Sequence, residues 1–333
     1  MAYQNVGTPR FYISYGDWWR SIGSSVPRWQ TISPNETKSI VGIYSDSWAT
    51  PEATLPSSSA VIGINWFAAL NHNVTSDFKF RCKHTISDTR QDIGHGGWDT
   101  MVNIGNSGEP SYQGFSLGTW NTPWTDEGTS ELHVGLNGVS GNEPNTSFNI
   151  GCWVYGGYYD MPHSPDLNLT MTREYGGIKT VETKGGASLS NAFYTKPPAW
   201  GDLPAWALSE GGGFSSSDVW HMAASGRRVW DLSFSYLQDS DLFPVISSLH
   251  TYESYNSDGE LYEDPADITI LRDNTFYNQV IHKTMGAGNL PFIFQPDKDN
   301  NNPDQFAICK FDMNSFSFQQ TAPNLYSVKM KIR

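Results

Sequence analysis

Along much of this chain, apolar and polar positions alternate with a period of two. The clearest stretch is RRVWDLSFSYL (227–237), where Trp230, Leu232, Phe234 and Tyr236 alternate with Asp231, Ser233 and Ser235. Successive side chains of an extended strand point to opposite faces, so this pattern predicts a strand with one buried and one wet face. The same alternation recurs at Phe78, Phe80 and Cys82; at Leu132, Val134 and Leu136; at Phe148, Ile150, Cys152 and Val154; and at Leu167, Leu169 and Met171. It returns at Phe306 and Ile308 and closes with Tyr326, Val328, Met330 and Ile332. Turn-forming runs such as GNSGEP, NEPNTS, KGGAS and DKDNNNPD separate these segments. The fold class expected is mainly β and antiparallel, with sandwich or barrel layers.

Helical signal is sparse. DNTFYNQVIHKTMG predicts one helix near 274–285, capped by Asp273 or Asn274 and stopped at Gly286. A second short helix could open at SDLFPVISSLH, where Pro244 confines it to a first turn or a kink. The stretch FYISYGDWW reads as an opening strand.

Composition sharpens this picture. The chain has 333 residues, enough for two structural units. Rings rather than aliphatic runs carry the burial, because 14% of the residues are aromatic, with 13 Trp, 16 Tyr and 17 Phe. A composition change near residue 160 marks a boundary between a first unit, dense in Ser, Gly, Asn and Trp, and a second one with longer alternating strands, the opening strand belonging to either. GGGFSSSD reads as a loop inside that last unit.

Lys and Arg number 21 against 34 acids, for a formal charge of -13. The cations are scattered along the sequence, which argues against specific nucleic-acid binding. Neither a signal pattern in MAYQNVGTPRFY nor a membrane-length apolar run occurs, so no membrane insertion is expected. Cys82, Cys152 and Cys309 lie in strand-like stretches without a C-x-x-C pair and read as small buried residues.

Candidate chemistry is thin. The eight histidines are isolated, and none stands in an H-x-x-x-H or H-E-x-x-H pattern. Asp297, Asp299 and Asn301 begin like a calcium loop. Asn302 then replaces the required glycine and Ile308 the bidentate acid, so a polar hairpin loop between PFIFQP and QFAICKF is the simpler reading. Trp98, Trp120 and Trp124 stand in loop-like contexts, where exposed indoles could stack on a sugar; plain packing under a long loop is the alternative. No catalytic pair, metal site or cofactor is expected, and the chain is read as a non-enzyme.

SSSAVIGINWFAALNHNV resembles a strand and turn of galactose-binding-like jelly-roll modules in tailed-bacteriophage structural proteins. YYDMPHSPDLNLTMTREYGGIKTVETKGGASLSN, GRRVWDLSFSYL, NLPFIFQPDKDNNNPDQFAICKFD and NLYSVKMKIR resemble the body of virion proteins from marine tailed phages, of distal tail or baseplate type. The resemblance covers about half the chain. It implies a tail-tube-like β-barrel or sandwich with one short helix near 274–285, formed by an N-terminal strand within 1–38 and by residues 161–333, into which the jelly roll of residues 39–160 is inserted. It further implies a homo-oligomeric ring, a hexamer, contacting other phage tail proteins and located in the virion tail after assembly in the host cytoplasm. The inserted order departs from an ordinary distal tail protein, whose sandwich follows its ring domain. Alternatives are a receptor-recognition protein that binds a host-surface glycan, a capsid decoration protein, and a polysaccharide-active enzyme with two carboxylates in a cleft.

Overall fold

The computed structural model describes residues 5–23, 25–32, 53–54, 64–72, 78–86, 89–92, 102–103, 115–124, 129–138, 150–174, 178–192, 227–244, 274–286, 290–302 and 305–333. Within them the protein is mainly β, and every strand pair is antiparallel. The strands in chain order are β1 (Arg10–Ile13), β2 (Ala53–Thr54), β3 (Ile64–His72), β4 (Phe78–Ile86), β5 (Thr89–Asp92), β6 (Val102–Asn103), β7 (Phe115–Trp124), β8 (Thr129–Gly138) and β9 (Ile150–Gly156). They continue with β10 (Tyr158–Asp160), β11 (Thr170–Glu174), β12 (Ile178–Glu182), β13 (Ser188–Ala192), β14 (Arg227–Gln238), β15 (Phe292–Gln295), β16 (Ala307–Cys309), β17 (Phe318–Ala322) and β18 (Leu325–Ile332). Two short α-helices, α1 (Tyr15–Ser21) and α2 (Asp239–Leu242), and a π-helix (Tyr277–His282) accompany them.

Four four-stranded sheets have the orders β10-β1-β15-β16, β11-β14-β18-β17, β2-β8-β4-β5 and β6-β7-β3-β9, while β12 and β13 form a separate hairpin. None of these sheets closes on itself into a barrel among the described strands. The sheet β10-β1-β15-β16 is buried on both faces. Phe11, Ile13, Phe292, Phe294 and Cys309 point to one side, into a core completed by Trp230, Leu232 and Phe234 of β14 and by Phe276 and Val280 beside the π-helix. Tyr12, Ile293 and Phe306 point to the other side and meet Trp66 and Leu70 of β3, Phe115 and Leu117 of β7 and Val154 of β9. Alternation along each strand therefore feeds two separate cores, giving three stacked layers with the middle sheet sealed between the outer two.

The chain passes from an outer layer to the middle one at Gly156 and Gly157. β9 ends at Gly156 in the sheet with β3, and β10 begins at Tyr158 beside β1. A Cβ on Gly156 would lie 2.0 Å from the backbone oxygen of Ile13, so only glycine allows the two segments to approach this closely. This crossing lies just ahead of the composition change near 160.

Several elements depart from the sequence expectation. FYISYGDWW is a strand only as far as Ile13; Ser14 then caps α1, its hydroxyl accepting from the Asp17 amide at 3.2 Å. The expected strand at Leu167, Leu169 and Met171 begins only at Thr170, and Leu167 is fully exposed. In β14, Trp230, Leu232 and Phe234 face the core as the alternation predicts, but Tyr236 does not. Its φ of 63° marks an irregularity in the register between Phe234 and Leu237 that turns its ring outward and places Leu237 inside. The helix near 274–285 is present as a π-helix. Thr275, whose hydroxyl accepts from the Asn278 amide, stands where Asn274 was expected to cap, while Asp273 lies outside the described residues. Gly286 ends it with a φ of 76°. α2 stops at Leu242, two residues before Pro244. GGGFSSSD lies outside the described residues.

Candidate functional site

Of the three tryptophans singled out as a sugar-contacting rim, Trp98 lies outside the described residues. Trp120 and Trp124 belong to strand β7 rather than to a loop. The pairing with β3 jumps from Trp66↔Thr119 to Ile64↔Trp124, so residues 120–123 bulge out opposite Asn65 alone. The side chains of Trp120 and Trp124 are outside the description, and no sugar rim is assigned to them. Cys152 and Cys309 are buried as expected, and burial pushes the Cys309 thiol up to about 12. The side chain of Cys82 is outside the description.

Asp297, Asp299 and Asn301 occupy the loop of the β15–β16 hairpin. Each carries a local bond there. Asp297 Oδ1 accepts from the Asp299 amide at 3.1 Å, Lys298 Nζ meets Asp299 Oδ1 at 2.8 Å, and Asn301 Oδ1 accepts from Gln295 Nε2 at 3.3 Å. These are the self-bonding turns that Asp and Asn favour in hairpin loops. Among the described residues no group of three or more His, Cys, Asp or Glu is arranged to hold a metal.

The densest chemistry lies where α1 packs near the π-helix, a place that the sequence reading did not mark. Lys283 is only 2% exposed, a rare situation for an ammonium-bearing side chain. Its Nζ donates to Gln279 Oε1 at 2.6 Å and to Tyr15 Oη at 3.2 Å, and lies 4.8 Å from the Tyr15 ring centre and 5.6 Å from that of Trp18. Desolvation penalises the charged amine and lowers its pKa to about 7. His282, edge-on to Trp18 at 5.8 Å, is also lowered by burial and by the neighbouring Lys283.

On the other side of α1, the Asp17 carboxylate accepts from the Ile32 amide at 2.8 Å, and burial raises its pKa to about 6. Trp19 packs on Tyr155 of β9, whose hydroxyl donates to Gln30 at 3.0 Å. The arrangement is a polar pin through an aromatic layer. It ties α1 to the π-helix and to the sheet of β9, with a buried amine at its centre whose charged form desolvation disfavours. The signal for it in the sequence was the S-x-x-D spacing of Ser14 and Asp17 followed by paired tryptophans. Nothing in IHKTMG marks Lys283 as buried.

Two further features concern the surface. The outward face of the sheet β11-β14-β18-β17 is polar: Asp231 stands opposite Lys331, and Ser233 opposite Lys329. At the C-terminal end of β14, Tyr236 is 74% exposed and Leu167 is 100% exposed. Both flank one contact, in which the Asp166 amide donates to Ser233 O at 2.8 Å and Ser235 Oγ donates to Asp166 Oδ2 at 2.9 Å. No helix among the described residues is long and apolar enough to cross a membrane. No protein-family model, curated protein or solved structure matches the chain.

Proposed function

We propose that the chain is a structural component of a tailed-phage virion, a distal tail or baseplate ring protein that assembles with copies of itself and contacts other tail proteins. The observation that carries this reading is the three-layer stack, in which the sheet β10-β1-β15-β16 is sealed on both faces by rings and aliphatic side chains. Such a stack is stiff, because interiors packed at crystal-like density transmit force rather than yield to it. Stiffness of this kind suits a wall. The resemblance of GRRVWDLSFSYL and NLYSVKMKIR to phage virion proteins supports the same reading.

Strand pairing favours a two-unit division. Among the described strands, β2 to β9 pair only with one another, as an inserted jelly roll would, whereas β1, flanked by β10, pairs with β15 from the far end of the chain. In this reading the ring unit is a tail-tube-like sandwich formed by the N-terminal strand and the portion after the Gly156–Gly157 crossing. Its site of action is the virion tail, reached by assembly in the host cytoplasm.

Negative-stain imaging of the purified full chain, with sedimentation to count copies, tests the proposal. Closed rings with six-fold or three-fold symmetry about one axis are expected. A chain that stays monomeric at every concentration and binds a defined glycan reproducibly would replace this reading with a receptor-recognition one.

A further inference from the structure

Docking of α1 withdraws two ionisable side chains from water, one on each side of the helix. Toward the π-helix, Lys283 Nζ meets only neutral groups: Gln279 Oε1 at 2.6 Å, Tyr15 Oη at 3.2 Å, and the rings of Tyr15 and Trp18. Among the described residues no carboxylate stands within ion-pair distance of it. The titratable groups beside it are Tyr15 of α1 and His282 of the π-helix, the latter edge-on to Trp18. On the other side, the Asp17 carboxylate lies against the Ile32 amide and the Ser14 hydroxyl, and Arg20 and Lys310 are the cations that act on it.

Both ends of the helix are built to turn. Ser14 caps its start in an extended conformation, and Gly23 follows its end at a φ of 99° with open space around it. We propose that α1 is a pH-governed clasp, opening as a unit about Ser14 and Gly23 when Lys283 takes up a proton that no carboxylate beneath the helix can balance.

Burial holds the Lys283 amine at about 7, against 10.5 in water. The open form therefore binds more protons than the closed form between these values, and closing strengthens as pH rises through that window. Asp17 works in the opposite sense. Desolvation lifts it to about 6 from 3.8, outweighing Ile32, Ser14, Lys310 and Arg20, so the closed form gains a proton as pH falls through that range. His282, lowered by burial and by Lys283, takes up its proton on opening in the same acid range and offsets Asp17. The clasp is thus loose at neutrality and tightens on the alkaline side. Opening uncovers Trp18, Trp19 and the Tyr155 ring on which Trp19 packs, so the open form is rare, and pH sets how often this aromatic surface meets water. The clasp belongs to the single chain and holds whether or not copies assemble.

Hydrogen exchange of the full chain, read on peptides from Tyr15 to Ile22 and corrected for the intrinsic pH dependence of exchange, tests the clasp. The amides of Trp18 and Ile22, bonded to Ser14 O and Trp18 O at 3.2 Å, report its opening. In the wild type their protection is expected to rise about tenfold per pH unit between about pH 7.5 and pH 9.5, as the release of one proton on closing requires. It is expected to stay well below that of Phe292–Gln295 in the middle sheet, the mark of opening without unfolding. Lys283→Met is expected to remove the rise. Asp17→Asn is expected to keep it and to add a fall in protection between about pH 6.5 and pH 5, where His282 then acts alone. Should Lys283→Met fail to fold, as judged by thermal melting, the wild-type and Asp17→Asn profiles decide. Protection that is flat over the alkaline window overturns the clasp, as does a rise that survives Lys283→Met. Equal protection at α1 and β15 at every pH means that α1 opens only when the whole chain unfolds, and overturns it as well.

Discussion

Trp230 on β14 meets Phe294 on β15 edge to face, with ring centres 5.1 Å apart. This contact joins the outer sheet to the middle one, and Trp230 is 1% exposed. Truncation to Ala would leave a large void that stiff sheets on both sides cannot collapse into. Trp230→Ala is expected to cost about 3–5 kcal/mol, read as a shift in the chemical-denaturation midpoint. A loss below about 1 kcal/mol would mean that the two sheets do not depend on this joint.

Gly156 makes a second such joint in the backbone. With Ile13 O only 2.0 Å from the position of an added Cβ, Gly156→Ala forces β1 and the end of β9 apart. The partner is main chain, so no side-chain rotation relieves the clash. Loss of soluble folded protein, or a fall in Tm of several degrees, is expected, whereas Gly185→Ala, whose nearest neighbour is 4.0 Å away, serves as the tolerated control.

Lys283 links stability to pH. Its folded pKa is about 7 against 10.5 when unfolded. Between these values the unfolded chain binds more protons than the folded one, so this group makes stability rise with pH across the window, and its full penalty is present below about 7. Lys283→Met is expected to flatten that rise between pH 7 and pH 9.5 in urea titrations. A slope unchanged by the substitution would show that the amine is charged or solvated in the fold.

Tyr236 tests what the left-handed backbone within β14 costs. Because its ring is exposed and its backbone is left-handed, Tyr236→Asn loses little packing and gains a residue that tolerates this conformation. The monomer is expected to be as stable as wild type or more so, by up to about 1 kcal/mol. A clear loss of monomer stability would reassign the ring to a structural role.

The strands were legible because their burial obeys a period of two, and β14, β16 and β18 stand where the alternation puts them. Their partners were not legible, since period-two patterning says which face is buried and nothing about which strand lies alongside. The bulge at Tyr236 was hidden by the same rule, because an aromatic residue there continues the alternation while the backbone turns it out. α1 was missed although Tyr15, Trp18 and Trp19 recur at the helical i, i+3, i+4 spacing with Asp17, Arg20 and Ser21 on the other face, because seven residues are too few for that period to stand out behind the strand-like FYISY. For the site, the tryptophans drew attention by composition, whereas Lys283 required tertiary packing to become notable.

The order β10-β1-β15-β16 has a consequence for how the protein is made. β1 leaves the ribosome long before one of its two neighbours, which lies almost three hundred residues downstream, at Phe292–Gln295. Strands β2 to β9 can find each other while synthesis continues, whereas β1 must wait with Phe11 uncovered until β15 has been made. Closing so long a loop is slow, and the waiting chain is the species most exposed to aggregation and to chaperones.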